Sequence, residues 1–354
     1  MTHTISTDTR LLLEDLERRI DPEVEEDFER QWEDFLYGRF EGDIFIPVRK
    51  KQAPPAATFR PVSNINDAIG DYDAMLRHQL QSVSGALSSQ SASLCIRANY
   101  GTGIMTSLFG AEIFHMPREA NTLPTTRTIV DEHRIRAIME GGVPDLRSAL
   151  GKCVFEFGEL CLELFSHYPK VSRFVKMYHP DLQGPLDVCE LLWGGDMFYA
   201  MYDEPESVHH LLHTITATYT AFMDRWFDMY PPDPIMNPHW ASLYHRGSVM
   251  LRDDSAMNLS PQLYREFAAP YDAELLQRYG GAVHFCGRGD HYIDILCDLP
   301  GLYGINMSQP HLNDMERIYQ HTVDKGIPLL AFDRQVAMQQ CSRPGGFHHL
   351  LSSI

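Results

Sequence analysis

From about residue 90 onward the chain repeats one alternation. A short apolar run ends in glycine or polar residues, and a segment with helical spacing follows before the next run. SLCIRANYG, RFVKMYHPDLQGP, SVMLRDDS, AVHFCG, LYGINMSQP and IPLLAFDR are such runs, and SPQLYREFAAPYDAELLQRYG and LNDMERIYQHTVDKG are two of the intervening segments. Strands that alternate with helices pair in parallel, because each helix carries the chain back to the same edge. Runs without polar alternation suit parallel strands covered on both faces. Six or seven candidates over about 260 residues predict an α/β fold, a (β/α)8 TIM barrel, with a doubly wound open sheet as the alternative. No GxGxxG opens a helix, which weighs against a dinucleotide-binding sheet.

Residues 1–90 predict a helical extension, and 91–354 the barrel, the two forming one domain. Leu12, Leu16, Ile20, Val24, Phe28, Trp32 and Phe35 keep a 3.6-residue period over residues 8–40. Asp21-Pro22 reads as a cap and first turn, which splits that stretch into two helices. PVRKKQAPPAATFRP is a connection, and a helix is expected from about 65 to 88. Further helical stretches are expected over 126–166, broken near GGVP, and over 205–230.

A formal net charge of −18 opposes binding to nucleic acid phosphates or to anionic membrane. The seven cysteines are scattered, with no framework spacing, which favours a reducing cytoplasm. No segment reads as a signal peptide or a membrane span.

In a βα fold, polar residues just past the strand ends gather at one mouth. HFCGRGD, residues 284–290, places an imidazole and a thiol there. Residues i and i+2 of a strand share a face, so His284 and Cys286 point together while Phe285 points away. Both side chains are zinc ligands, and glycine lets the chain leave without crowding an ion. A buried cysteine beside a hydrogen-bonded histidine is the plainer alternative. A catalytic zinc needs a third ligand; Cys341 is one candidate, and His291, Asp254 and Glu266 are others. Asp253 and Asp254 in RDDS offer acid–base chemistry, metal binding, ligand orientation, or a turn cap. Asp181 in HPDLQGP is either a substrate contact or an Asx-turn. Asn99, Tyr100, Arg288 and Asn306 stand at or just beyond strand ends as substrate-binding candidates, Arg288 for an anionic group. Arg97, His179, Arg252, Asp333 and Arg334 belong to the same ring of strand-end positions.

Over roughly residues 90–335 the chain resembles the uroporphyrinogen decarboxylase superfamily. The resemblance rests on DLQGPLDVCELLWGGDMFYAMYDEPESVHHLL, on LRDDSAMNLSPQLYREFAAPYDAELLQRYGGAVHFCGRGDHYIDIL and on GLYGINMSQP. It implies a (β/α)8 barrel. One branch of that superfamily decarboxylates a porphyrinogen and carries an Arg-Gln-Ala-Gly-Arg-Tyr segment, where this chain has PVRKKQAPPA. The other branch comprises zinc methyltransferases that move a methyl group from a corrinoid protein to a thiol such as coenzyme M. His284 and Cys286 match its His-x-Cys. Its later cysteine sits in a Pro-Gly-Cys-Gly loop that this chain lacks, and Cys341 stands near that position. The resemblance therefore implies Zn²⁺ on His284, Cys286 and Cys341, and Asp181, Asp253 and Asp254, read from their strand-end positions, are the expected catalytic residues. No Asp-x-His-x-x-Gly segment is present, so the methylcorrinoid is expected on a separate protein. A small thiol is the expected acceptor, and a homodimer is an expected assembly. Porphyrinogen decarboxylation, or a non-catalytic barrel that binds a small molecule, is the alternative.

Overall fold

A computed structural model of the chain describes residues 5–62, 64–340 and 342–349. The paired helices of the N-terminal stretch are Thr7–Arg19 and Pro22–Leu36, divided at Asp21-Pro22 as the cap residues predict. The next strand, β1 (Ile44–Phe45), pairs in parallel with the last one, β12 (Phe347–His349). The N-terminal region is thus more than a helical extension, because it contributes a strand to the main sheet.

β2 (Cys95–Ile96) and β5 (Lys176–Met177) form a separate parallel pair, and β3 (Ile113–Phe114) and β4 (Thr125–Thr126) an antiparallel one. β6 (Asn237–His239) and β7 (Leu243–His245) make a hairpin. The remaining strands are β8 (Val249–Arg252), β9 (Gly281–Phe285), β10 (Leu302–Met307) and β11 (Leu329–Phe332). The six-stranded sheet runs β1-β12-β11-β10-β9-β8, parallel throughout. The expected alternation and parallel pairing are present. Strand hydrogen bonds among the described residues leave β1 and β8 as edges, and do not close the sheet into a ring. No helix among the described residues is long and apolar enough to cross a membrane.

Pleating divides the side chains of this sheet between two cores. Val249, Leu251, Val283, Ile305 and Leu329 pack into the large cluster shared with the surrounding helices. Met250, Ala282 and Leu330 join a smaller cluster with Phe28, Trp32 and Phe35 of the second helix and Leu243 and Tyr244 of the hairpin. The inner face is thus covered by the N-terminal helix and the hairpin. Arg49, with 2% exposure, makes a two-pronged ion pair with Glu25 at 2.7 and 2.8 Å and ties the proline-rich connection to that helix.

Between β5 and β8 a side chain takes the place of a strand contact. His179 is buried; its Nδ1–H donates to the Pro180 carbonyl at 2.8 Å, and its Nε2 accepts the Met250 N–H at 2.9 Å. Farther along, Gly184 lies so close to β8 that a Cβ there would collide with the Arg252 carbonyl oxygen.

Two outcomes test this packing. Trp32 has 1% exposure and meets Phe45, Tyr244 and His348 edge-on or tilted, so Trp32→Ala is expected to cost about 3–5 kcal/mol in denaturant unfolding. The His179 bridge needs a neutral ring, and burial pushes its pKa down to about 3. The unfolded chain takes up that proton near the ordinary value of about 6.5. The group's contribution is therefore complete above that value and is lost as pH falls from about 6.5 towards about 3. Urea midpoints measured across that window should drop, and less steeply in His179→Gln.

Candidate metal centre

The register of three strands sets the level of the site. Arg252 of β8 pairs with His284 of β9, and His284 with Asn306 of β10. All three lie on the inner face, two residues beyond Met250, Ala282 and Gly304 along their strands. Three residues past His284 the chain turns at Gly287, whose φ is +77°; a Cβ there would lie 2.5 Å from the Met257 sulfur. Glycine at 287 lets the loop pass this crowded point and leaves Cys286 facing the same way as His284.

The expected convergence is present. Cys286 Sγ lies 3.3 Å from His284 Nε2. Asp254 Oδ1 lies 3.5 Å from the same nitrogen and accepts the Cys286 N–H at 2.6 Å. One nitrogen, one sulfur and one oxygen atom are all within 4.8 Å of one another. An ion held tetrahedrally with bonds of about 2.0–2.3 Å needs ligand atoms about 3.5 Å apart. Asp254, His284 and Cys286 therefore form a group that can hold a metal ion.

Polar neighbours fix the donor atoms. Asn306 Nδ2 donates to the Leu330 carbonyl at 2.6 Å, which turns its Oδ1 towards His284. That oxygen accepts the His284 Nδ1–H at 2.5 Å, so the lone pair lies on Nε2, the atom facing Cys286 and Asp254. Burial, followed by the Arg252 guanidinium, holds the imidazole below its ordinary pKa and keeps it neutral. Burial raises the Cys286 thiol, while Ser308 Oγ, 3.5 Å from its sulfur, opposes that shift. Asp187 accepts the Asp254 and Ser255 N–H groups at 3.1 and 2.7 Å and pins the turn that carries the third donor.

Asp254 thus stands where a third ligand is required. Cys341 lies outside the described residues. His291 is instead hydrogen-bonded to the Leu259 carbonyl at 2.9 Å, and neither it nor Glu266 joins the donor group. Asp253 is not at the mouth. It alternates with Arg252, so it faces the helices, where it is buried; burial, with Asp272 and Asp187 nearby, raises its carboxyl well above the usual range. Tyr100 is likewise a core residue, fully buried with its ring edge-on to Phe157. Arg288 points outward with a side chain 60% exposed and donates to Asp290 at 2.7 Å, which explains why it does not line the cavity.

Asp181 and Asn99 belong to a polar network. Asp181 accepts from Arg97 at 3.1 Å and Gln183 at 2.5 Å, and lies 3.7 Å from Arg252 Nε. Burial alone would raise its pKa; Arg252 and Arg97 outweigh it and hold the carboxylate below the usual range. Asn99 Oδ1 accepts from Arg97 Nε at 2.8 Å. Both residues therefore have protein partners, and their geometry is that of groups that orient two arginines.

A cavity of about 950 Å³ opens beside the centre, lined by His284, Asn306, Ser308 and Trp240 among others. The Trp240 ring stands edge-on to His284 at 5.5 Å, with the Arg252 guanidinium 4.6 Å from its centre. The hairpin that brings Trp240 to this position went unread in the sequence, because NPHWASLYH lacks the strict apolar–polar alternation that marks a half-buried strand. Compared with protein-family models and with curated proteins, the sequence matches none.

Asn306 is expected to set metal affinity without touching the ion. Asn306→Leu should weaken Zn²⁺ or Co²⁺ binding about 10–100-fold in equilibrium dialysis, and Arg288→Ala should leave it unchanged.

Proposed function

We propose that the chain is a zinc-dependent methyltransferase with a (β/α)8 barrel fold, which moves a methyl group from a corrinoid carried by a separate protein to a thiol. The observation that carries this reading is the convergence of His284 Nε2, Cys286 Sγ and Asp254 Oδ1, with the imidazole tautomer held by Asn306. A donor set of one nitrogen, one sulfur and one oxygen suits Zn²⁺, and three protein ligands leave a position for a substrate. The resemblance of HFCGRGD and the flanking segments to the methyltransferase branch supports the choice of reaction. The parallel strands, six in one sheet and two in a pair, supply the number that a barrel requires.

When bound, the zinc ion supplies a positive charge that favours the thiolate form of a substrate thiol. The chain's own residues do the rest. Asn306 holds the His284 proton on Nδ1 and keeps Nε2 available. Asp187 and the Cys286 N–H fix Asp254 from two sides. Trp240 closes one flank of the site. In the transfer, the thiol proton leaves to solvent, a sulfur–carbon bond forms, and the electron pair of the carbon–cobalt bond stays on the corrinoid.

Purified protein should carry about one zinc per chain, and His284→Ala and Cys286→Ser should each lose it. The native protein should methylate thiols from free methylcobalamin, and both variants should fail. Protein that takes up no zinc, or that methylates no member of a thiol panel, contradicts the proposal.

A further inference from the structure

The cavity beside the centre says more about the acceptor than the donor atoms do. Its volume of about 950 Å³ is at the upper end of the range for sites that enclose whole organic ligands, about 300–1,000 Å³. A two-carbon thiol would leave most of that space to water. Two large apolar side chains stand on its wall, Trp240 and the exposed Met338, while Met307 and Phe332 border it but are buried in the outer core. Arg334 and Gln335 line it too. Arg334 is exposed and makes no ion pair among the described residues. In a chain of formal net charge −18, an unpaired guanidinium on a cavity wall stands out. The neighbouring carboxylate, Asp333, is occupied in capping the next helical turn through the Val336 N–H at 2.9 Å.

The backbone points to the same place. Only six non-glycine residues among those described have positive φ, and two of them, Trp240 at +49° and Ala331 at +47°, line this cavity. Such conformations cost free energy in a side-chain-bearing residue and collect where a binding surface must be shaped.

Resting on the methyltransferase reading above, we infer that the acceptor is an elongated thiol: an aromatic body lies along Trp240, and a terminal carboxylate reaches Arg334. A guanidinium takes a carboxylate through two parallel N–H donors, which also fixes the direction in which the sulfur points.

The test uses the full chain loaded with Co²⁺, whose sulfur charge-transfer absorption, already present from Cys286, grows when a second thiolate binds. Three probes are titrated: 4-(mercaptomethyl)benzoate, its uncharged methyl ester, and the short 3-mercaptopropionate. The aromatic carboxylate should bind at least about tenfold more tightly than either of the others. In Arg334→Met, an exposed position whose change spares the core, acid and ester should bind alike. Equal affinity for the long and short acids, or an unchanged preference for acid over ester in Arg334→Met, overturns this inference and leaves the metal-thiolate reading standing. If no thiol, long or short, increases that absorption, the underlying reading fails as well.

Discussion

The register of β8, β9 and β10 is the constraint on which the centre depends. Arg252, His284 and Asn306 sit at one level because the three strands are paired in parallel with no slip at that height. A one-residue shift of β9 would turn His284 towards the helices and Phe285 into the cavity. The same alternation explains why Arg252 enters the inner network while Asp253, its neighbour, is buried on the other side. Apolar side chains enforce it. Val283 and Ile305 belong to the outer core and Ala282 to the inner one, so a slipped strand would misplace several large groups at once.

Electrostatics then selects what the centre can bind. The chain is strongly acidic, yet its inner face holds Arg97 and Arg252 around a single carboxylate, Asp181. Burial, followed by the Arg252 guanidinium, holds His284 below its ordinary pKa against the pull of Asp254 and Asp181, and so leaves it able to donate its lone pair. Asn306 supplies the orientation that burial cannot. Its amide is itself fixed by the Leu330 carbonyl, so the direction of the His284 lone pair traces back to the backbone of β11. A metal centre built in this way is held as much by its hydrogen-bonded supports as by its ligands.

The parts of this arrangement that were legible in the sequence are those governed by local periodicity. The helices at Thr7–Arg19 and Pro22–Leu36, the parallel strands, and the shared face of His284 and Cys286 all follow from spacing within one segment. The identity of the third donor does not. Asp254 is 30 residues from His284 in the chain, and nothing nearby in sequence distinguishes it from Asp253 except which side of β8 each faces. Arg288 and Tyr100 were misjudged for a related reason. A residue near a strand end can turn outward to a local partner such as Asp290, or sink into the core beside Phe157. Trp240 was invisible because its hairpin adds no strand to the parallel sheet; it works by tertiary placement alone.

The central claim is that the centre has one protein sulfur, with Asp254 as the oxygen donor. X-ray absorption at the zinc edge of the protein without added thiol measures this directly. The account predicts a single sulfur at about 2.3 Å and lighter nitrogen or oxygen neighbours at about 2.0 Å. Two sulfurs would show that a second cysteine, rather than Asp254, completes the ligand set, and a shell with no sulfur would show that Cys286 is not a ligand at all.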